Sequence, residues 1–163
     1  MSRRVLLSLV ALPLVAATAA FATPSIAKWP PWISIESPVN PYDPGARGAA
    51  LLVHATFREG PSQVSDVTGT AEGLVNGARR TIPLRFESAG RPSTFALRKQ
   101  WPSEGVWVLR IDVRSTTAIV TIDRDGNVAS VRVPTEVAAS GDRLPRVVAS
   151  KEIDSTLAQI AKR

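Results

Sequence analysis

The chain has 163 residues, with 20 Lys and Arg against 14 Asp and Glu for a net charge of +6, 44% hydrophobic residues and no cysteine. That length suits one domain, and the absence of cysteine excludes disulfide bracing and thiolate chemistry, so core packing must stabilise the fold. The basic residues are spread along the chain with no stripe of interleaved aromatics, which excludes the usual footprint of a nucleic-acid binder.

Residues 1–22 read as a targeting segment. Arg3 and Arg4 supply a positive start, residues 5–17 an apolar run, and Ala20-Phe21-Ala22 a small-x-small cleavage site, which together make a secretory signal peptide. The run is too short to span a bilayer comfortably. The expected product is therefore a periplasmic or secreted protein of bacterial type, with no stable transmembrane anchor after cleavage and no cysteine to carry a lipid. Ser2-Arg3-Arg4 also loosely matches a twin-arginine signal, and the export route stays open.

Residues 23–48 form a Trp- and Pro-rich N-terminal segment. Pro38, Pro41 and Pro44 fix φ and remove ladder donors, which confines regular pairing to a short edge strand at about residues 32–36. In Trp29-Pro30-Pro31-Trp32 two rigid prolines hold two large rings at a set separation. Those rings have two uses. They can cap the open end of the fold, since burying a Trp is worth more than leaving it wet, or they can dock a partner, a glycan or a membrane surface, with Tyr42 nearby.

Residues 49–134 carry the main domain. Residues 49–58 alternate, with Leu51, Val53, Ala55 and Phe57 on one face and Leu52, His54, Thr56 and Arg58 on the other. Asn76-Gly77 between residues 67–74 and 78–87 is a hairpin signal; Ile82, Leu84 and Phe86 make the inner face of the second strand, and Pro83 puts it at a sheet edge. In residues 94–99 Phe95 and Leu97 turn inward. Past Pro102 and Gly105, residues 106–113 place Trp107, Leu109, Ile111 and Val113 on one face, heavy enough to require a covering second sheet. Residues 117–122 and 128–133 flank the polar turn Asp123-Arg124-Asp125-Gly126-Asn127, a second hairpin. The sum is an all-β, immunoglobulin-like antiparallel β-sandwich of about seven to eight strands. Residues 135–149 read as a loop, and residues 150–163 as a short C-terminal α-helix. Ser150 is its expected cap, Glu152 and Asp154 suit its positive end, Lys162 and Arg163 its negative end, and Ile153, Leu157 and Ile160 share one face.

Phe95-Ala96-Leu97, followed by Trp101-Pro102-Ser103-Glu104-Gly105-Val106-Trp107-Val108-Leu109-Arg110-Ile111, resembles the final strands of exported bacterial immunoglobulin-like domains of the YtkA/FixH kind. The resemblance covers residues 49–113 and implies the same sandwich. Because some relatives of that group handle copper or help assemble membrane oxidases, it also implies a chaperone-like accessory role. This chain departs from a copper site, with one histidine, one methionine inside the signal peptide and no cysteine; soft metals want thiolate, thioether or imidazole ligands. We expect no metal site and no cofactor.

No motif names a reaction. His54 is the only histidine, and no Gly-x-Ser-x-Gly elbow accompanies it. Asp123-x-Asp125-Gly126-Asn127 offers oxygen ligands, but the Gly comes too early for a calcium loop and the closing Glu is missing, so it reads as a turn. The expectation is a non-enzymatic, monomeric accessory protein of the cell envelope that docks an envelope protein or surface ligand through Trp29, Trp32, Tyr42 and adjacent loops. Two other readings stand beside it. One is a hydrolase in which Glu72, Glu104, Asp123 and Asp125 act with His54; the other is a metal-delivery accessory domain.

Overall fold

The structure, a computed structural model, describes residues 29–57, 64 and 66–162; the expected signal peptide and Arg163 lie outside them. Asn76 (φ 51°) and Gly77 (φ 77°) both take the left-handed conformation, so Val75 pairs with Ala78 across a two-residue turn. Turns of this hand match the twist of the strands they join. The hairpin joins β3 (Thr68–Val75) to β4 (Ala78–Pro83). Beyond β3 follow β7 (Val106–Val113), β8 (Thr116–Ile122) and β9 (Val128–Arg132), giving a five-stranded antiparallel sheet in the order β4-β3-β7-β8-β9. As expected, Pro83 falls on an edge strand, where no neighbour requires its missing N–H.

The second sheet has the order β1-β2-β6-β5, from β1 (Trp32–Glu36), β2 (Leu51–Thr56), β6 (Thr94–Leu97) and β5 (Phe86–Ser88). With the five-stranded sheet it reproduces the immunoglobulin-type arrangement of strands ABED against C′CFG, extended by β9. Two expectations about the strands need correction. The single strand over residues 78–87 divides, because the ladder ends at Pro83 and the chain crosses to the other sheet, where Phe86 pairs with Leu97; buried Leu84 marks the crossing, its N–H bonded to Gly69 O at 2.9 Å. Residues 135–149 are not all loop. They contain a hairpin of β10 (Thr135–Val137) and β11 (Arg143–Pro145), short and mostly exposed, so no apolar alternation announces it.

The helix α1 (Ser150–Ile160) is capped differently from the expectation. Ala149 is the N-cap, and its side chain makes no capping bond. Ser150 is already helical, and the first turn is held through Glu152, whose carboxylate accepts two bonds of 2.8 Å from Arg146. Lys162 falls beyond the last turn. The apolar stripe is as expected: Ile153 and Leu157 are buried against Val108 and Ile119, with Ile160 beside them. The helix thus covers part of the outer face of the five-stranded sheet.

Between the sheets, Leu51, Val53 and Leu97 meet Trp107, Leu109, Ile111, Val113 and Val120. Trp107 is 2% exposed, and its Nε1 donates to Glu104 O at 2.9 Å. Its ring lies on Gly73, the residue opposite it on β3; a Cβ there would come within 2.5 Å of the ring. Leu52, on the face of β2 opposite Val53, is fully buried with Ala46, Ala89 and Ala96, because residues 37–50 cross the outer face of the four-stranded sheet. A polar tie sits on β3. Glu72 accepts bonds from Thr81 Oγ1 (2.6 Å), Thr70 Oγ1 (2.9 Å) and Arg79 Nη2 (3.1 Å), and Arg79 also pairs with Asp154 of α1.

Large-to-small change at Trp107 removes roughly 200 Å² of burial and leaves a void, so Trp107→Ala should cost about 3 to 5 kcal/mol. Trp32→Ala, at a half-exposed ring, should cost about 1 kcal/mol or less. Urea melts compare them. Burial alone would raise the Glu72 carboxyl, but its hydrogen bonds to Thr81, Thr70 and Arg79 outweigh that and hold it below 4.5. A depressed folded value means stability present above the unfolded value and lost as pH falls through the folded one. The difference in unfolding free energy between wild type and Glu72→Gln should therefore be largest near neutrality and shrink below about pH 4, read from urea melts across that range.

Candidate docking surface

Alternation along β1 sets the outer surface. Ile33 is buried and Ile35 packs on the core, so Trp32, Ser34 and Glu36 face outward. Pairing then lays Thr56 opposite Trp32, His54 opposite Ser34, and Thr94 opposite His54. The entry to β1 is pinned: Pro31 is buried and its carbonyl accepts a bond from Thr116 Oγ1 at 2.7 Å. Trp32, the next residue, is 46% exposed, while Trp29 is half-buried. Of the two uses open to these rings, capping the open end is thus not what Trp32 does.

His54 links three strands. Its Nε2 lies 3.0 Å from Glu36 Oε2 and its Nδ1 3.3 Å from Thr94 Oγ1. Glu36 then fixes the following loop. Its Oε1 accepts from Asn40 N at 3.3 Å, and Asn40 Oδ1 accepts from Tyr42 N at 3.0 Å. Asp43 N donates to Asn40 O at 3.1 Å, Asp43 Oδ1 accepts from Gly45 N at 2.9 Å, and Asp43 Oδ2 accepts from Arg91 at 2.8 Å. Gly45 sits against the backbone of Ala89, where a Cβ would lie 2.1 Å from the carbonyl oxygen. The loop's polar groups are spent on holding its shape, yet Tyr42 at its tip is 91% exposed.

The carboxylates named with His54 do not join it. Glu72 is on the outer face of the other sheet, bound as described above. Glu104 is exposed in the connection before β7, its carbonyl engaged by Trp107. Asp123 closes the β8–β9 turn, its Oδ1 accepting the amides of Asp125 (3.0 Å) and Asn127 (2.8 Å). The carboxylate that does reach His54 is Glu36. Thr94 completes a carboxylate–imidazole–hydroxyl line, but it is 6% exposed, and its hydroxyl also reaches Pro92 O at 3.3 Å. Among the described residues no group of three His, Cys, Asp or Glu side chains could hold a metal ion, and no described helix is long and apolar enough to cross a membrane.

Sequence reasoning placed Trp32 and Tyr42 on this surface and missed Glu36, Asp43 and Thr94. Their partners lie 18, 48 and 40 residues away in the chain. Strand register brings Glu36 and Thr94 to His54, and the crossing loop brings Asp43 to Arg91 between β5 and β6; no local pattern encodes either. Comparison of the chain with protein-family models, curated proteins and solved structures finds no match in any of the three.

Because Gly45 abuts backbone and not a flexible side-chain end, Gly45→Ala must displace the loop that carries Tyr42. We expect a loss of about 1 to 3 kcal/mol, in the range of overpacking, and amide chemical-shift changes concentrated at residues 40–46 and 88–91. Shifts confined to Gly45 itself would show that the loop is softer than its hydrogen bonds imply.

Proposed function

We propose that this protein is a non-enzymatic, monomeric accessory domain of the cell envelope, exported by its N-terminal segment, which docks an envelope protein or surface ligand through Trp32, Tyr42 and the loop between them. The observation that carries this reading is Tyr42. A ring that is 91% exposed on a loop tied at Glu36, Asn40 and Asp43 gains nothing for folding, whereas a rigidly presented aromatic is the kind of anchor that dominates binding energy and loses little entropy when bound. Trp32 adds a second, half-anchored ring, and Trp29 lies beside it in the chain. The resemblance to exported immunoglobulin-like domains favours an accessory role, while the ligand set of the described residues gives metal delivery no support.

One specific contact supports a second reading. Glu36, His54 and Thr94 have the order of a hydrolase triad, so covalent labelling of Thr94 by a serine-hydrolase probe such as a fluorophosphonate would establish an esterase-type activity in place of docking.

The docking reading is tested with immobilised exported protein and solubilised envelope fractions. Tyr42→Ala combined with Trp32→Ala should reduce specific retention of envelope components at least 10-fold, a loss of about 1.4 kcal/mol or more, with the urea midpoint nearly unchanged. Equal retention by wild type and the double variant would discard this surface.

A further inference from the structure

We infer that the ligand of this surface is a saccharide whose ring stacks on Trp32. The inference rests on the docking reading and adds the chemistry of what is docked. It starts from what surrounds the exposed indole. On the outward face the neighbours of Trp32 are Thr56 across the strand pair, Ser34 two residues along β1, and His54 opposite Ser34. Cross-strand neighbours of this kind stand about 5 Å apart and diagonal ones about 7 to 8 Å, the scale of one six-membered sugar ring with its hydroxyls.

Those neighbours are polar and partly unspent. The side chains of Ser34 and Thr56 bond no other described residue, while His54 and Glu36 are already fixed toward each other by the 3.0 Å contact. An aromatic anchor for a protein partner normally sits inside a ring of groups that exclude water, and among the described residues the outward face beside Trp32 has hydroxyls and an imidazole in that place. An anionic headgroup or phosphate would need unpaired cations. Among the described residues on this side, Glu36 is turned to His54 and Arg91 is held by Asp43, and Arg114 is placed over the Phe57 ring at 4.8 Å. One apolar ring face bordered by hydroxyls and an imidazole, with a carboxylate behind them, matches a polyhydroxyl ring that has a C–H face and a rim of O–H groups. The same division between an apolar body and a few placed polar groups marks small-ligand sites in general.

The test is an array of immobilised oligosaccharides that includes bacterial cell-wall and capsular fragments, probed with the exported protein and followed by calorimetric titration of the strongest hit. We expect binding to at least one saccharide class, lost at least 10-fold in Trp32→Ala and weakened severalfold in Ser34→Ala and Thr56→Ala, with unchanged urea midpoints. The two polar variants keep the test decisive if Trp32→Ala disturbs the edge strand. A blank array, or binding that survives all three variants, overturns the inference. If the array is blank while the Trp32 and Tyr42 double variant still loses retention of an envelope protein, the saccharide falls and the docking reading stands; if neither wild-type interaction is seen, both fall.

Discussion

The Trp107 ring, lodged between the sheets on the bare backbone of Gly73, is the contact on which the rest of the architecture depends. An indole is too large to share its cross-strand position with another side chain, so β3 must present glycine at that point; a Cβ there would overlap the ring. With the ring in place, β3 and β7 pair closely, and Trp107 reaches across to the inward residues of the four-stranded sheet. The N–H is satisfied by Glu104 O in the turn that precedes the strand, so the ring adds apolar burial without stranding a donor, which would cost about 1 to 3 kcal/mol. Trp101 differs. It is buried in the same core and its Nε1 has no acceptor among the described residues, so its contribution rests on packing alone.

A sandwich whose inner faces are filled still has two outer faces, and this chain covers parts of both. On the five-stranded sheet the cover is α1, which buries Val108 and Ile119 on the outer face. On the four-stranded sheet it is an irregular segment that buries Leu52, Ala89 and Ala96 under Ala46. The two covers need different support. A helix satisfies its own backbone, whereas an irregular segment must find partners for every amide and carbonyl it brings to a surface. Glu36, Asn40 and Asp43 supply several of them, which is why the crossing loop is so densely bonded. The rigidity that presents Tyr42 is thus a consequence of covering Leu52.

This separates what the sequence makes legible from what it hides. The inward phase of residues 106–113, the Asn76-Gly77 hairpin and the apolar stripe of the helix are local: each is a period or a turn signal within a dozen residues, and each is found as expected. The change of sheet after Pro83 was hidden because period-2 alternation continues through it, and alternation does not say which sheet a residue faces into. The burial of Leu52 was hidden for a related reason. Alternation shows that it points away from Val53, but whether that side meets water depends on a segment that pairs with nothing regular. The Glu36–His54–Thr94 line was hidden more deeply, since it depends on the register of three strands at once.

Edge strands constrain how the proposed surface could engage anything. Among the described residues β1 has a free edge, and a free edge next to an exposed Trp invites pairing with a strand from another chain. Here the regular strand is only five residues long, with Pro30 and Pro31 before it and Pro38 after it, none of which can donate to a ladder. A partner strand would find few consecutive bonds. Recognition by strand addition draws its affinity from the main chain, and this edge offers too little of it. The affinity of the proposed contact must therefore come from side chains on the outward face, and there the exposed area is carried by two aromatic rings whose backbones are already fixed, one by the buried Pro31 carbonyl bond and the other by the loop anchored at Glu36 and Asp43.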